Sequence, residues 1–392
     1  MSELERTRVG TAPSADESAW VNAEKRRQNP SIGLDGHVAP RPTYRPISLA
    51  HLQRMSDDIG LFEHARHAYP RVEHGYCVDD VARGLIVTAR ESGHSGPAEL
   101  PHSDHEREQA AIALDLARLY LNFIAEGQEP DGRMRNRRNA MGEWTDAPKT
   151  HDAWGRALWG LGSAVAHCAE LADEALALFD TSAKLRSPFS RSITFAALGA
   201  AEVLRVYPDH GQAADLLRSA IFEIGIPGSN AQWLWPEERL TYANACVAEA
   251  VIAAGELLHE PRFVIRGLTM LDWLTRVETN DGHISVTPVG GWHHDEPRPG
   301  FDQQPIEVAA LAEAAARAHA LTRDPHWENV VHMCASWFDG DNDSKTPMAD
   351  HVNGAGFDGL ERDGRNENCG AESTLAMLST FQQARRLAGA TP

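Results

Sequence analysis

Six times along this 392-residue chain an amphipathic helical pattern gives way to a polar or aromatic loop, and then to an Ala/Gly-rich helical pattern that opens on residues able to do chemistry. The openings are Asp79-Asp80, His151-Asp152, Ser190-Arg191, Tyr242 to Asn244, Asp302 to Gln304, and Gly370 to Glu372. One supersecondary unit recurring with its polar groups always at the same end predicts a closed ring of helical hairpins. The six openings would then converge on one shared pocket.

The two helix types differ for a physical reason. In two concentric rings an outer helix has a solvated face and needs charge there, whereas an inner helix is enclosed on most sides and needs small residues for close approach. The periodicity predicts outer helices near 47–65, 105–126, 171–184, 210–224, 262–278 and 325–338. Inner helices follow at about 78–90, 152–170, 189–206, 241–259, 304–321 and 371–388. The expected fold is all-α, an (α/α)6 toroid. Outer-to-inner connections are mostly long, which gathers the loops on one rim, where function is usually carried. Short β-hairpins are expected at 131–145 and 281–292, where turn residues cluster. No Gly/Ser/Pro-rich linker divides the pattern, so residues 46–392 are expected to form one catalytic domain, after an extended or disordered arm over 1–45.

The formal charge of −19 repels phosphate backbones and anionic lipid, so neither nucleic acid nor a membrane surface is an expected partner. Ten tryptophans together with abundant acids and amides suit a small neutral carbohydrate, because sugar rings stack on indole and hydroxyls need acceptors and donors. Any single Trp is equally at home in a core. Five scattered cysteines with no CxxC pair make neither a disulfide framework nor a zinc site. No apolar signal or membrane-length run is found, so a reducing cytoplasm is the expected location. No cofactor and no metal are expected.

Carboxylates dominate the openings. Of Asp79 and Asp80, Asp80 is read as the pocket acid and Asp79 as a cap or ligand contact after Tyr76, although helix capping explains either residue. His151-Asp152 opens the next inner helix, with Arg156 one turn on and placed to hold Asp152 ionised. The densest cluster runs from Trp233 through Trp235, Glu237, Glu238 and Tyr242 to Asn244, and Glu237 or Glu238 is its candidate acid or base. Asp302, Gln303, Gln304 and Glu307 surround Pro305, a residue suited to a first helical turn. Upstream, Trp292 adds an aromatic wall and His293-His294-Asp295 is more simply a surface group than a metal site. Glu372 heads the last inner helix, expected to face Asp80 where the ring closes. Phosphate loops and nucleophile elbows are absent.

Together the segments GYCVDDVARGLIV, DGRMRNRRN with HDAWGRALWGLG, WPEERLTYANA, GWHHDEPRPGFDQQPIEVAAL and GFDGLERDGRNENCGAEST resemble a bacterial helical domain. That domain occurs alone or joined to retaining-type glycosyltransferase modules, is often labelled glycosyltransferase, and is akin in architecture to (α/α)6 six-hairpin glycosidases. The resemblance covers about residues 45–388. Val81 and Ala243 depart from the Asn and Asp usual at those positions of the group. No nucleotide-binding βα module is present, so the resemblance implies acid chemistry on a glycosidic bond, or its phosphorolytic equivalent, rather than nucleotide-sugar transfer.

The expectation is therefore a glycoside hydrolase using Asp80, Asp152, Glu237, Asp302 or Glu372 as its carboxylate pair, with inversion favoured. Tyr76, Asp79, His151, Arg156, Trp235, Glu238, Tyr242, Asn244, Trp292, Gln303, Gln304 and Glu307 are the expected substrate contacts. The alternatives are a non-catalytic sugar-binding module, a phosphorylase or transferase, or an isomerase or epimerase in which Tyr242 works with His151 or His293. A homo-oligomer or a separate glycosyltransferase are the possible protein partners.

Overall fold

The computed structural model describes residues 47–93 and 104–389. The expected arm over 1–45 lies outside the described residues. A short helix, α1 (Ala50–Arg54), precedes α2 (Val78–Ser92), α3 (Asp104–Gly127), α4 (Asp152–His167), α5 (Ala172–Ser182) and α6 (Ser190–Val206). Then come α7 (Gly211–Ile224), α8 (Asn244–Leu257), α9 (Pro261–Val277), α10 (Pro305–Thr322), α11 (Pro325–Phe338) and α12 (Ala371–Gly389).

The even-numbered helices contact one another in sequence and α12 returns to α2, which closes an inner ring. Helices α3, α5, α7, α9 and α11 each pack outside the inner helix that precedes them. The chain is an (α/α)6 toroid. Composition explains the layering. Along α4, residues 153–165 are all buried, and α8 is buried from Asn244 to Gly255, so both need small side chains. Helices α4 and α6 cross where a methyl group on Gly162 would overlap the Gly199 carbonyl, so only glycine permits that approach.

The far end of the ring is tied by buried charges. On α10, Arg317 bonds Glu249 of α8 and Glu202 of α6, both at 3.0 Å, while Arg90 of α2 reaches Glu313 of α10 at 2.5 Å. Glu91 of α2 accepts from Arg385 of α12 at 2.7 Å across the seam. Each cation has a carboxylate in an interior where an unpaired charge would be strongly disfavoured.

Two sequence expectations change. The helix expected over 47–65 shortens to five residues, because the Asp57 carboxylate accepts from the Ile59 and Gly60 amides and turns the chain. Its apolar residues Leu49, Leu52, Met55, Leu61 and Phe62 still enter the core. The hairpin expected at 131–145 forms, with Arg138 paired antiparallel to Trp144, and its residues 137–138 also pair with 76–77, whereas 292–293 of the second expected hairpin pair with 239–240. A true hairpin joins 279–280 to 283–284. These pairings stitch neighbouring rim loops together, and a Gln303–Leu360 bridge extends the stitching. Among the described residues, no helix is long and apolar enough to cross a membrane.

Candidate active site

The inner-helix N-termini meet at one rim and frame two adjoining spaces. An outer cup of ≈ 390 Å³ is lined by Asp79, Met134, Asn136, Arg137, Asp146, Lys149, His151, Asp152, Ala153, Phe189 and Tyr242. A central cavity of ≈ 50 Å³ lies among the inner helices, with Arg83, Arg156, Glu313 and Glu372 beside an apolar lining that includes Ile86, Trp159, Cys246, Ile306 and Leu375.

Asp79 and Asp80 sit in the first turn of α2, where the helix dipole favours acids. Neither caps the helix. The cap comes from a neighbouring loop: the Asn136 carbonyl accepts from Val78 N at 2.9 Å and its side-chain oxygen from Asp79 N at 3.3 Å. Consecutive helical residues point about 100° apart, so the two acids part. Asp79 faces the cup. Its Oδ2 accepts from Asn136 Nδ2 at 3.2 Å, while its Oδ1 is buried without a partner. Burial raises the Asp79 carboxyl above the ordinary range, opposed by Arg83 and Arg156 and reinforced by Asp152 and Glu372. Asp80, expected in the pocket, instead packs beneath it, accepting from Arg83 Nη1 at 2.5 Å and from the Cys77 thiol at 3.2 Å. Burial lifts it to about 7 despite Arg83.

Asp152 opens α4 and is partly exposed to the same cup. Its Oδ1 accepts from Ser192 Oγ at 2.6 Å and its Oδ2 from the Tyr242 hydroxyl. Burial and the Asp152 charge push the Tyr242 phenol upward, which keeps it a donor. His151 stands exposed beside Phe189, ring centroids 4.6 Å apart. Arg156 makes no bond to Asp152, contrary to the expectation. It points into the central cavity with its guanidinium 3.6 Å above the Phe195 ring. Glu372 also lines that cavity and pairs with Arg83 at 2.8 Å, so Arg83 bridges Glu372 to Asp80 across the seam.

Glu237 is held in a structural clamp. It pairs with buried Arg191 at 3.0 Å and accepts from Trp235 Nε1 at 3.3 Å. Arg191 also bonds Asn244 Oδ1 at 3.0 Å and the Tyr242 carbonyl at 2.5 Å, which braces the loop carrying Tyr242. Glu307 accepts from the amides of Ala243 and Asn244 and from Asn244 Nδ2, holding alanine 243 at φ 47°, an unfavourable left-handed conformation. Burial raises Glu307 to about 8.

The remaining expected contacts lie away from both spaces. Tyr76 is core, stacked on Phe62 at 4.7 Å with its hydroxyl on Asp57 at 2.6 Å. Trp235 is buried against Trp273, and Trp292 packs edge-on to Trp233, so these indoles form a core cluster rather than a sugar platform. Gln303 is fully buried between Asp343 and Trp337. Gln304 precedes α10 without a side-chain cap bond, while Asp302 and Glu238 are exposed. The atoms of His293, His294 and Asp295 lie within 4.8 Å of one another, a spacing open to a metal, on a partly exposed loop. Sequence reasoning missed Asn136 as the cap of α2 and Ser192 as a partner of Asp152. The recurrent Asn and Arg of DGRMRNRRN were the available signal for the first.

No protein-family model and no curated protein matches this sequence. Solved structures do. A sugar epimerase from a ruminal bacterium aligns over 93% of this chain and 99% of its own, with a TM-score of 0.63 and 12% identity. A D-mannose isomerase aligns over 96% of this chain and 100% of its own, with a TM-score of 0.63 and 10% identity. An α-1,6-mannanase variant from Salegentibacter, in complex with α-1,6-mannotetrose, aligns over 86% and 96%, with a TM-score of 0.56 and 9% identity. At these identities the likeness establishes the toroid.

Proposed function

We propose that this chain is a carbohydrate-active enzyme, a glycoside hydrolase whose acid and base are Asp79 and Asp152. The observation that carries the reading is the contrast between these two carboxyl groups facing one cup. Asp79 has a buried, unbonded oxygen and a raised pKa, as a proton donor requires. Asp152 accepts from two hydroxyls and lines the same cup, partly exposed. Carboxyl groups held in such different surroundings are the usual division of labour in glycoside cleavage.

Asp79 passes its proton to the glycosidic oxygen as the anomeric C–O bond breaks. Asp152 takes a proton from the water that attacks the anomeric carbon from the opposite face. Tyr242 and Ser192 orient Asp152. The two acids head neighbouring helices, whose axes lie about 8–10 Å apart, and this favours the wider separation of about 6.5–9.5 Å associated with inversion. Neighbours of the same fold that are described as a sugar epimerase, a mannose isomerase and a mannanase lend support to a sugar substrate.

A second reading, isomerisation, draws on the Tyr242–Asp152 contact with His151 alongside, a set able to move a proton between adjacent carbons. Product analysis on an oligosaccharide and monosaccharide panel separates the two. New reducing ends support hydrolysis, and a rearranged monosaccharide supports isomerisation. Tight binding without turnover on the whole panel contradicts both and favours a binding module.

A further inference from the structure

Arg156 is a buried cation of the site whose donors the protein leaves unsatisfied. It is 4% exposed, and among the described residues nothing accepts a hydrogen bond from its Nε or Nη2. The neighbouring interior arginines each have a carboxylate partner, although Arg83 Nε and Arg317 Nη1 are also buried without a hydrogen bond. Arg83 bonds Asp80 and Glu372, Arg191 bonds Glu237 and Asn244, and Arg317 bonds Glu202 and Glu249. Burial and the like charge of Arg83 both act against the Arg156 cation and lower its pKa to about 10. A folded protein retains so unfavourable a group when something else completes it.

A guanidinium fork matches an oxyanion, which accepts two parallel N–H bonds. We propose that Arg156 binds an oxyanion in the central cavity beside the cup, either the carboxylate of an acidic sugar or inorganic phosphate. The proposal rests on the catalytic reading above and adds the class of ligand. Phe195 beneath the guanidinium fixes its plane, and Ile86, Trp159 and Ile306 give the cavity a largely apolar wall that strengthens the contact, while Glu313 and Glu372 on the same lining oppose an anion, Glu372 being already paired with Arg83. The net charge of −19 repels anions at long range, so binding would depend on this local group. With phosphate as the ligand, its oxygen replaces water as nucleophile. That oxygen bonds to the anomeric carbon, the glycosidic bond breaks, and the departing oxygen takes the Asp79 proton, giving a glycosyl phosphate and a shortened sugar.

The test is titration calorimetry on the Asp79→Asn protein, whose turnover should be slowed by about 10²- to 10⁴-fold, with inorganic phosphate, glucuronate, mannuronate, glucose and mannose as probes. At least one anion should bind, and adding Arg156→Met should weaken it by about 10- to 150-fold, the loss expected for charge-assisted bonds. Arg156→Lys should fall between, which keeps the test open if the methionine variant does not fold. Binding of phosphate alone identifies a co-substrate, and binding of a uronate alone identifies an acidic sugar. Either upholds the proposal. It is overturned if no anion binds, or if Arg156→Met and Arg156→Lys both bind the anion within twofold of the parent. Cleavage of a neutral substrate with no anion binding would sink this proposal and leave the hydrolase reading standing. Anion binding without any cleavage would do the reverse.

Discussion

Replacing Arg156 by methionine should make the ligand-free protein more stable, an unusual direction for a buried substitution. Burial and the neighbouring Arg83 charge lower the Arg156 pKa from the ordinary arginine range to about 10. At about 1.4 kcal/mol per unit, folding with the charge in place is disfavoured by about 3 kcal/mol. For a base with a depressed pKa the penalty is complete below about pH 10 and fades only above it, so all of it acts at neutral pH. Methionine relieves it while filling much of the same space, but loses the stacking on Phe195, worth about 2 kcal/mol in a desolvated site. The net gain is about 1 kcal/mol, or about 1–2 °C in Tm for a domain of this size. Urea and thermal unfolding followed by circular dichroism would measure it. A variant less stable than the parent by more than about 1 kcal/mol would show that Arg156 holds the ring together, and the case for an unsatisfied binding group would fail.

Three further outcomes follow from the site. Asp79→Asn and Asp152→Asn should each lower kcat by about 10²- to 10⁴-fold with the far-UV spectrum and Tm retained; loss of folding instead would assign them to helix termini. Because Asp79 must be protonated to donate and burial raises its pKa, kcat should fall as pH rises through that raised value. A rate profile with no descending limb assignable to Asp79 would contradict its role. Glu237→Gln should destabilise the protein by about 1–3 kcal/mol because Arg191 loses its carboxylate, read as a lower urea midpoint; an unchanged midpoint with lost turnover would move Glu237 into the chemistry.

Much of the ring was legible because helical periodicity survives enclosure. The alternation of charged and Ala/Gly-rich helices located α2 to α12 within a few residues, and the cysteine-poor, linker-free chain left little room for another class. The first outer helix was misread because apolar spacing alone cannot register a turn held by the Asp57 side chain. The site was half legible for a different reason. Helix heads could be named, but which of two adjacent aspartates faces a cup depends on where Cys77 and Arg83 sit. Tyr242 meets Asp152 across 90 residues, and Glu307 caps a helix 63 residues earlier, pairings that no local pattern records. Isolated acids and an arginine in Ala-rich helices, such as Glu313 and Arg317 in α10, were the visible trace of the buried charge network at the far end. The tryptophans misled, since Trp233, Trp235 and Trp273 spend their surfaces on one another.

The central claim is that a glycosidic bond lies in the cup between the heads of α2 and α4. The most direct measurement is a crystal structure of the Asp152→Asn protein soaked with an oligosaccharide that the parent cleaves. The account predicts the glycosidic oxygen about 3 Å from an Asp79 carboxyl oxygen, with the residue at position 152 across the sugar ring. A sugar seated on another face, or one whose scissile oxygen is nearest Glu237 or Asp302, would contradict it.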